Sequence, residues 1–200
     1  MKAAVIVAHP DDEIIWSGGL ILQHPDWDWT VLSLCRAGDP DRHPKFKSVC
    51  AYLGLNGLIS DLDDAKVLRA INTRREIGHR ILEHLAPPSW DLCVTHGSNG
   101  EYGHLRHKEI SAEVLSLIDD GILECEQLWT FAYLCEVKKK TCRPDPQADI
   151  LLNLTDKQLS EKKRIVQEQY GYSADSFEVG ACISPESFHR RQKRQKEQLT

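Results

Sequence analysis

The chain has 200 residues, of which 41% are hydrophobic and 28% charged, and a formal net charge of −5. A chain of this length can form one globular domain that buries roughly 70% of its unfolded surface. The slightly negative charge argues against a nucleic-acid-binding protein. No apolar stretch approaches the ~20 residues that a membrane-spanning helix needs. We therefore expect one globular domain that neither spans a membrane nor binds nucleic acid.

Six short apolar runs predict β-strands. In chain order they are AAVIVA from Ala3, WTVLSLC from Trp29, GLISDL from Gly57, WDLCVTH from Trp90, LWTFAYL from Leu128 and DILLNL from Asp149. Segments with helical periodicity separate or follow them. These are IIWSGGLILQH from Ile14, KFKSVCAYLGL from Lys45, residues 65–85 with a stop at APPS, LRHKEISAEVLSLIDDG from Leu105, and TDKQLSEKKRIVQEQY with Thr155 as its N-cap.

Strands that alternate with helices indicate βαβ units. The predicted fold is therefore a single-domain α/β, Rossmann-like three-layer sandwich, with a mostly parallel sheet and helices on both faces. We expect this domain to cover residues 1–186. Residues 187–200 read as a basic, polar tail, which forms either a solvated helix or frayed end, or a contact with anionic lipid or an acidic partner.

The seven cysteines show no CxxC spacing, and several of them lie inside apolar runs. The apolar stretch at the start of the chain is too short for a secretory signal. We therefore expect reduced, mostly buried thiols in a cytoplasmic protein.

Ionisable residues are concentrated where two of the predicted strands end. The segment AHPDDE, with His9, Asp11, Asp12 and Glu13, follows the first strand, and THGSNGEYGHLRH follows the fourth. In parallel α/β sheets, ligands bind outside the carboxyl ends of the strands. Both segments are therefore expected on the same rim of the sheet.

These residue types suit a metal centre. His9 and Asp12 are close in sequence, and His104 and His107 are three residues apart near the start of a predicted helix, so they are expected on the same face. Two histidines and a carboxylate with one open position suit zinc or ferrous iron. A water in that position would have a pKa of about 7, and Asp11 could accept its proton.

Each motif also has an ordinary structural interpretation. HPDD is a good turn sequence, and a single HxxH is common on helix surfaces. The occurrence of both motifs on one rim favours a site, and the three glycines of GSNGEYG permit an unusual backbone path beside a ligand. His96, at the end of the fourth strand, could support the metal ligands from behind.

AHPDDE and THGSNGEYGHLRH together resemble the hallmark segments of the PIG-L or LmbE-like family of zinc-dependent N-deacetylases. Weaker similarities, such as KKRIVQEQYGY, extend the resemblance over roughly residues 2–172. The resemblance implies that His9, Asp12 and His107 bind zinc, although Fe²⁺ or another divalent metal remains an alternative.

The resemblance also implies catalytic roles. Asp11 would be the general base, and Tyr102 would donate to the oxyanion. His104 would polarise the tetrahedral intermediate and help to protonate the departing amine. Glu13 would anchor the loop from behind.

The implied substrate is an N-acetylglucosamine unit linked to another group, but two positions depart from the family pattern. The family's sugar-contacting Arg is replaced by His43, with Arg42 one residue earlier, and its Pro-Asp-Gly reads Asp63-Asp64-Ala65. Arg42 and Asp64 are therefore the candidate substrate-binding residues.

The predicted function is a zinc-dependent N-deacetylase of a small amino-sugar conjugate. The alternatives are an amidase acting on a sugar-thiol conjugate or another acyl amide, and a non-catalytic sugar-binding module. The basic tail leaves open a membrane contact with a glycolipid substrate.

Overall fold

A seven-stranded β-sheet forms the centre of the structure, a computed structural model that describes residues 1–64, 70–85 (without the side chains of 70–72) and 89–191. From one edge to the other the strands are β3 (Asn56–Ile59), β2 (Asp28–Ser33), β1 (Lys2–Val7), β4 (Ser89–Thr95), β5 (Glu124–Phe131), β9 (Glu186–Arg191) and β8 (Ile150–Leu152). The first five strands run parallel, and β9 is antiparallel to both of its neighbours. The predicted, mostly parallel α/β sheet is confirmed.

Helices cover both faces of the sheet. They are α1 (Asp12–Gln23), α2 (Arg42–Leu53), α3 (Ala70–Leu85), α4 (Gly100–Gly103), α5 (Leu105–Asp119), α6 (Asp156–Arg164) and α7 (Phe177–Ala181). Alternate side chains of β1 enter two separate cores because successive residues of a strand point to opposite faces. Val5 packs in one core with Phe46 of α2, and Ile6 packs in the other with Ile77 of α3. Within the described ranges, no helix combines the length and the apolar character needed to cross a bilayer.

The predicted helix over residues 65–85 is present from Ala70 onwards. On its inner side, Ile77, Ile81 and Leu85 are buried and Leu82 is half-buried. Residues 65–69 and 86–88, which include the predicted proline stop, lie outside the described residues.

The last predicted helix begins as expected and ends in a different geometry. The Thr155 side chain accepts a hydrogen bond from Gln158 N in a capping box, which confirms the predicted N-cap of α6. The helix then widens into a π-helical turn, Ile165–Gln169. This turn leads the chain into Tyr170 and Tyr172, which both reach the functional site described below.

The predicted strand LWTFAYL is wrong as one element because it divides at Ala132. Its first part is β5, and its second part is β6 (Tyr133–Glu136), which pairs with β7 (Thr141–Pro144) in a separate hairpin closed by a 3-10 turn, Val137–Lys139. Ala132 N donates to Ser187 O (3.0 Å), and Asn99 Nδ2 donates to Tyr133 O (2.8 Å). These bonds satisfy the backbone where the chain leaves the sheet.

The hairpin also corrects the prediction that the thiols are all reduced. Cys135 and Cys142 face each other across β6 and β7 and form a disulfide. They become neighbours because the chain reverses between them, which their separation in sequence does not reveal. The other five cysteines are buried and free, namely Cys35, Cys50, Cys93, Cys125 and Cys182.

The predicted solvated tail is wrong for residues 187–191, which belong to strand β9. The segment looks polar, but Phe188 is fully buried in the core and Ser187 is buried as well. Pairing with β5 and β8 satisfies its backbone on both sides. Residues 192–200 lie outside the described residues.

A buried ion pair ties β9 to two helices. Lys162 Nζ of α6 donates to Glu186 Oε1 of β9 (2.5 Å), and both side chains are fully buried. The same carboxylate accepts hydrogen bonds from Gly19 N (2.7 Å) and Leu20 N (2.8 Å) of α1. Glu186 therefore joins α1, the helix that begins with Asp12, to strand β9 and to α6.

We expect Glu186→Gln to destabilise the fold strongly. The substitution removes the counter-ion of a buried ammonium group, and breaking such a pair costs about 3–5 kcal/mol in the free energy of unfolding. Urea denaturation measures this loss. The matched control is Glu168→Gln, which breaks the exposed pair with Arg164 (2.9 Å) and should unfold nearly as the wild type does. Equal midpoints for the two variants would show that the buried pair is not needed.

Candidate metal centre and active site

The AHPDDE segment forms a tight loop between β1 and α1. Asp11 has a φ of 115°, a backbone conformation that residues with side chains rarely adopt. The fully buried Glu13 stabilises it because its Oε2 accepts a hydrogen bond from Asp11 N (3.0 Å) and its Oε1 accepts one from the Tyr170 hydroxyl. Glu13 thus anchors the loop from inside.

The second motif lies directly beside the first. Strands β1 and β4 are paired neighbours, so their carboxyl ends meet at one rim of the sheet, as predicted. The glycine-rich loop takes an irregular path, with φ values of 63° at Gly100 and 90° at Gly103. A Cβ at Gly100 would also lie 2.9 Å from Lys108 Cγ, so the position suits glycine in both respects.

Three side-chain atoms converge where the two motifs meet. Asp12 Oδ2 lies 3.2 Å from His9 Nδ1 and 3.4 Å from His107 Nε2. The two histidine nitrogens are themselves 3.4 Å apart. These are the three residues predicted as metal ligands, and their donor atoms are close enough together to bind one cation.

Each histidine of this group is backed by a carboxylate. Glu101 Oε2 lies 2.6 Å from His107 Nδ1, and Asp64 Oδ1 lies 3.1 Å from His9 Nε2. If these outer nitrogens carry the protons and donate hydrogen bonds to the carboxylates, the inner nitrogens present lone pairs to the space between the three side chains. Carboxylate–histidine pairs of this kind orient metal ligands in proteins. The donor set therefore fits a divalent metal such as zinc.

The remaining oxygen of Asp12 is also fixed. Trp16 Nε1 donates to Asp12 Oδ1 (2.9 Å), so that Oδ2 is left facing the histidines. Burial by itself raises the pKa of Asp12, but His107 and the other neighbouring histidines lower it well below its usual range. This carboxylate is therefore charged and available as a ligand.

His96 lies behind the three candidate ligands and is not a fourth ligand. Its Nε2 accepts a hydrogen bond from Ala8 N (2.9 Å), so its proton lies on Nδ1, which faces Glu101 Oε2 at 3.1 Å. Both ring nitrogens are thus occupied, and the ring stacks on His107 with centroids 3.8 Å apart. This placement agrees with the predicted supporting position behind the ligands.

Glu101 holds both buried histidines. Burial raises the pKa of its carboxyl, but the electrostatic interaction with His96 and the hydrogen bonds from both histidines lower it to about 2. Its other oxygen accepts a hydrogen bond from Gly97 N (2.8 Å). The carboxylate therefore stays charged at neutral pH, and both of its oxygens accept hydrogen bonds from the protein.

Cys35, which lies near His9 and Asp64, offers a weaker ligand. Burial is the main cause that raises the pKa of its thiol well above the ordinary value. Since a thiolate rather than a thiol binds metals, this cysteine is a poor candidate beside the histidines.

An open cavity of about 270 Å³ lies above the cluster. His107 is fully buried beneath it. The other predicted site residues line its wall, and they are His9, Asp11, Asp12, Arg42, Asp64, Tyr102 and His104. The structure thus brings all eight predicted residues to one place.

Three of these residues form the catalytic set that the resemblance implied. Burial and then the neighbouring Asp12 raise the pKa of Asp11 to about 7. Burial and then His107 lower the pKa of His104 to about 4, so its imidazole is neutral at neutral pH. The ring of Tyr102 lies 5.6 Å from that of His104, and both face the cavity.

The two candidate substrate-binding residues already have protein partners. Arg42 Nη1 lies 3.1 Å from Asp11 Oδ2, and Asp64 Oδ2 accepts a hydrogen bond from Arg36 Nη2 (2.8 Å). Of the adjacent pair, Arg42 lines the cavity, whereas His43 bonds through Nδ1 to Ala37 O (2.7 Å). Their contact with a substrate stays a prediction.

Glu101, Tyr172, Phe177 and Glu178 are among the site residues for which no role was predicted. Glu101 lies inside the quoted motif, and the usual need of a metal-bound histidine for a carboxylate partner was the signal for it. Tyr172, Phe177 and Glu178 line the cavity from the last third of the chain. No local pattern connects them with His9, because the contact is made only by the fold.

The comparisons with known proteins are consistent with this architecture. No protein-family model matches the chain. An uncharacterized protein, L374, of Acanthamoeba polyphaga mimivirus is 23% identical over 146 residues. The match covers 64% of this chain and 60% of that protein, so the chain spans less than two thirds of the length of this curated relative.

Solved structures share the fold at low identity. An N,N'-diacetylchitobiose deacetylase from Pyrococcus horikoshii matches with a TM-score of 0.65 and 12% identity over 96% of this chain and 84% of its own. A deacetylase of the teicoplanin biosynthetic pathway matches with a TM-score of 0.65 and 15% identity over 98% and 100%. A 4-carboxy-2-hydroxymuconate hydratase from Pseudomonas putida KT2440 matches with a TM-score of 0.67 and 13% identity over the whole of both chains. The chain therefore has the fold of these deacetylases and of this hydratase.

We expect Glu101→Gln to weaken metal binding by roughly 10- to 100-fold, as is typical when the partner of a metal-bound histidine is removed. The uncharged amide oxygen accepts hydrogen bonds from His96 and His107 more weakly than the charged carboxylate does. Competition with a chromogenic chelator measures the dissociation constant. Glu136→Gln, at an exposed position on the hairpin, is the control. An unchanged dissociation constant for Glu101→Gln would mean that His107 is not a ligand oriented by this carboxylate.

Proposed function

We propose that the protein is a metal-dependent hydrolase that removes an acetyl group from an N-acetylated amino sugar. One observation carries this proposal, namely the convergence of His9 Nδ1, Asp12 Oδ2 and His107 Nε2 at the floor of an open cavity. The deacetylases that share the fold support it.

His9, Asp12 and His107 would hold the cation, and zinc is the metal we propose. Two imidazoles and one carboxylate with an open position are a typical ligand set for catalytic zinc, and they also suit ferrous iron. When bound, such a cation acts as a Lewis acid toward a carbonyl oxygen and lowers the pKa of a coordinated water.

Asp11 is the proposed general base. Its carboxyl lines the cavity beside Asp12, and its pKa of about 7 allows it to accept a proton from water and to release it again near neutral pH. The two adjacent aspartates would thus have different roles, since Asp12 would bind the cation and Asp11 would accept and release the proton.

Tyr102 and His104 would stabilise the charge that develops on the carbonyl oxygen. The Tyr102 hydroxyl and the neutral His104 imidazole can both donate hydrogen bonds into the cavity. The water oxygen forms a bond to the acetyl carbon while its proton passes to Asp11. The carbon–nitrogen bond then breaks, and Asp11 returns the proton to the amine nitrogen, so that acetate and a free amino group are released.

The cavity fits a small polar substrate. Its volume of about 270 Å³ and its mixed wall of charged and aromatic side chains suit a single sugar unit whose linked group extends outward. We propose that Arg42 and Asp64 contact the sugar, and that exchange of their present ion pairs accompanies its binding. A sugar-thiol conjugate or another acyl amide would be hydrolysed by the same chemistry.

A second candidate reaction is the addition of water to a carbon–carbon double bond. It is favoured by the hydratase that shares this fold along its whole length. Acetate release from N-acetylglucosamine conjugates tests the first reaction, and loss of the absorbance of an unsaturated acid tests the second. Each assay is performed with and without a chelator. A metal-free protein that binds sugar without turnover would instead indicate a binding module.

We expect Asp11→Asn to keep its metal and to lose roughly 10²- to 10⁴-fold in kcat for acetate release, which is the usual contribution of a general base. The amide has nearly the same shape as the carboxyl but cannot accept the proton. Metal analysis and initial-rate kinetics measure the two effects separately. The control is Asp26→Asn, an exposed position in the turn after α1. Wild-type kcat in Asp11→Asn would exclude the proposed role.

A further inference from the structure

One oxygen of the proposed base has two protein donors. Asp11 Oδ2 accepts hydrogen bonds from Arg42 Nη1 (3.1 Å) and from the Tyr172 hydroxyl. In the described part of the chain, no hydrogen bond is directed at Asp11 Oδ1. The carboxylate is therefore held through one oxygen and has the other available.

The two donors also stabilise each other. The Arg42 guanidinium lies 4.7 Å from the centroid of the Tyr172 ring, a distance typical of a cation–π contact. Asp11, Arg42 and Tyr172 thus form a closed set of three contacts on one wall of the cavity. The set joins the loop after β1, the start of α2 and the chain after the π-helical turn.

Asp11 needs such a restraint because of its position. It is adjacent to Asp12, and a cation held at Asp12 Oδ2 would attract the Asp11 carboxylate as well. If Asp11 turned toward the cation it would become a further ligand and could no longer accept a proton from water. Two donors on Oδ2 oppose this rotation.

We infer that Tyr172 is a positioning residue that, together with Arg42, holds Asp11 out of the ligand set and leaves Oδ1 to accept the proton. The inference rests on the proposed function, because it assigns a partner to the proposed base. It also gives Arg42 a role toward Asp11 in addition to the proposed contact with the sugar.

The surface of the protein offers a matched control. The Tyr52 hydroxyl donates to Glu161 Oε1 (2.8 Å), and the Arg164 guanidinium lies 5.3 Å from the Tyr52 ring. This is the same combination of tyrosine, carboxylate and arginine, but it lies away from the cavity. Tyr52→Phe therefore removes an equivalent hydroxyl without touching the site.

The test compares Tyr172→Phe with Tyr52→Phe. Tyr172→Phe keeps the aromatic ring beside Arg42 and removes the hydroxyl that donates to Asp11. We expect kcat to fall by roughly 10- to 100-fold, the usual cost of losing a group that orients a functional residue, with KM and metal content close to wild type. Tyr52→Phe should retain wild-type kinetics, and both variants should unfold near the wild-type temperature.

The outcomes separate this inference from the proposed function. If the wild type is active and Tyr172→Phe has an unchanged kcat, or only a raised KM, the positioning role is overturned while the function stands. If the wild type releases no acetate, the function fails, and a crystal structure of zinc-soaked Tyr172→Phe decides the inference alone. An Asp11 carboxylate turned toward the metal in this variant supports the positioning role of Tyr172, and one that keeps its wild-type orientation overturns that role.

Discussion

The site depends on one hydrogen bond between two neighbouring strands. Ala8 N, just beyond β1, donates to Nε2 of His96, just beyond β4, at 2.9 Å. Because this bond places the His96 proton on Nδ1, that ring donates to Glu101, and Glu101 in turn orients His107. The backbone of the parallel sheet therefore determines, through three side chains, which nitrogen His107 presents to the cavity.

Carboxylates and imidazoles alternate throughout the site, and this alternation explains why so many charges can be buried together. Asp64, Asp12 and Glu101 each face at least one histidine, and Asp11 faces Arg42 instead. Burial would neutralise isolated carboxyls, but these neighbours keep Asp12 and Glu101 charged. Burial and the neighbouring Asp12 raise the pKa of Asp11 to about 7, although His9 and Arg42 oppose this shift. The two adjacent aspartates thus have different partners and different pKa values, which is consistent with their different proposed roles.

The sequence was informative where periodicity or a compact motif carries the signal. Local chemistry was enough to predict three kinds of feature. They are the apolar runs of β1 and β4, the buried face of α3 with Ile77 and Ile81, and the N-cap at Thr155. The polar segment around Phe188 could not, since its strand forms only by pairing with β5 and β8. The Cys135–Cys142 disulfide likewise depends on a chain reversal. At the site, AHPDDE and GEYGHLRH indicated the proposed metal ligands, whereas Tyr172 meets Asp11 across 161 residues of sequence and no spacing could reveal this contact.

The most direct test of this account is the position of a metal in crystals of the protein soaked with Zn²⁺, located by anomalous scattering at the zinc edge. The account predicts one strong peak at about 2.0–2.2 Å, the usual zinc bond length, from His9 Nδ1, Asp12 Oδ2 and His107 Nε2. A site with no peak, or a peak bound elsewhere while His9 remains paired with Asp12, would contradict it.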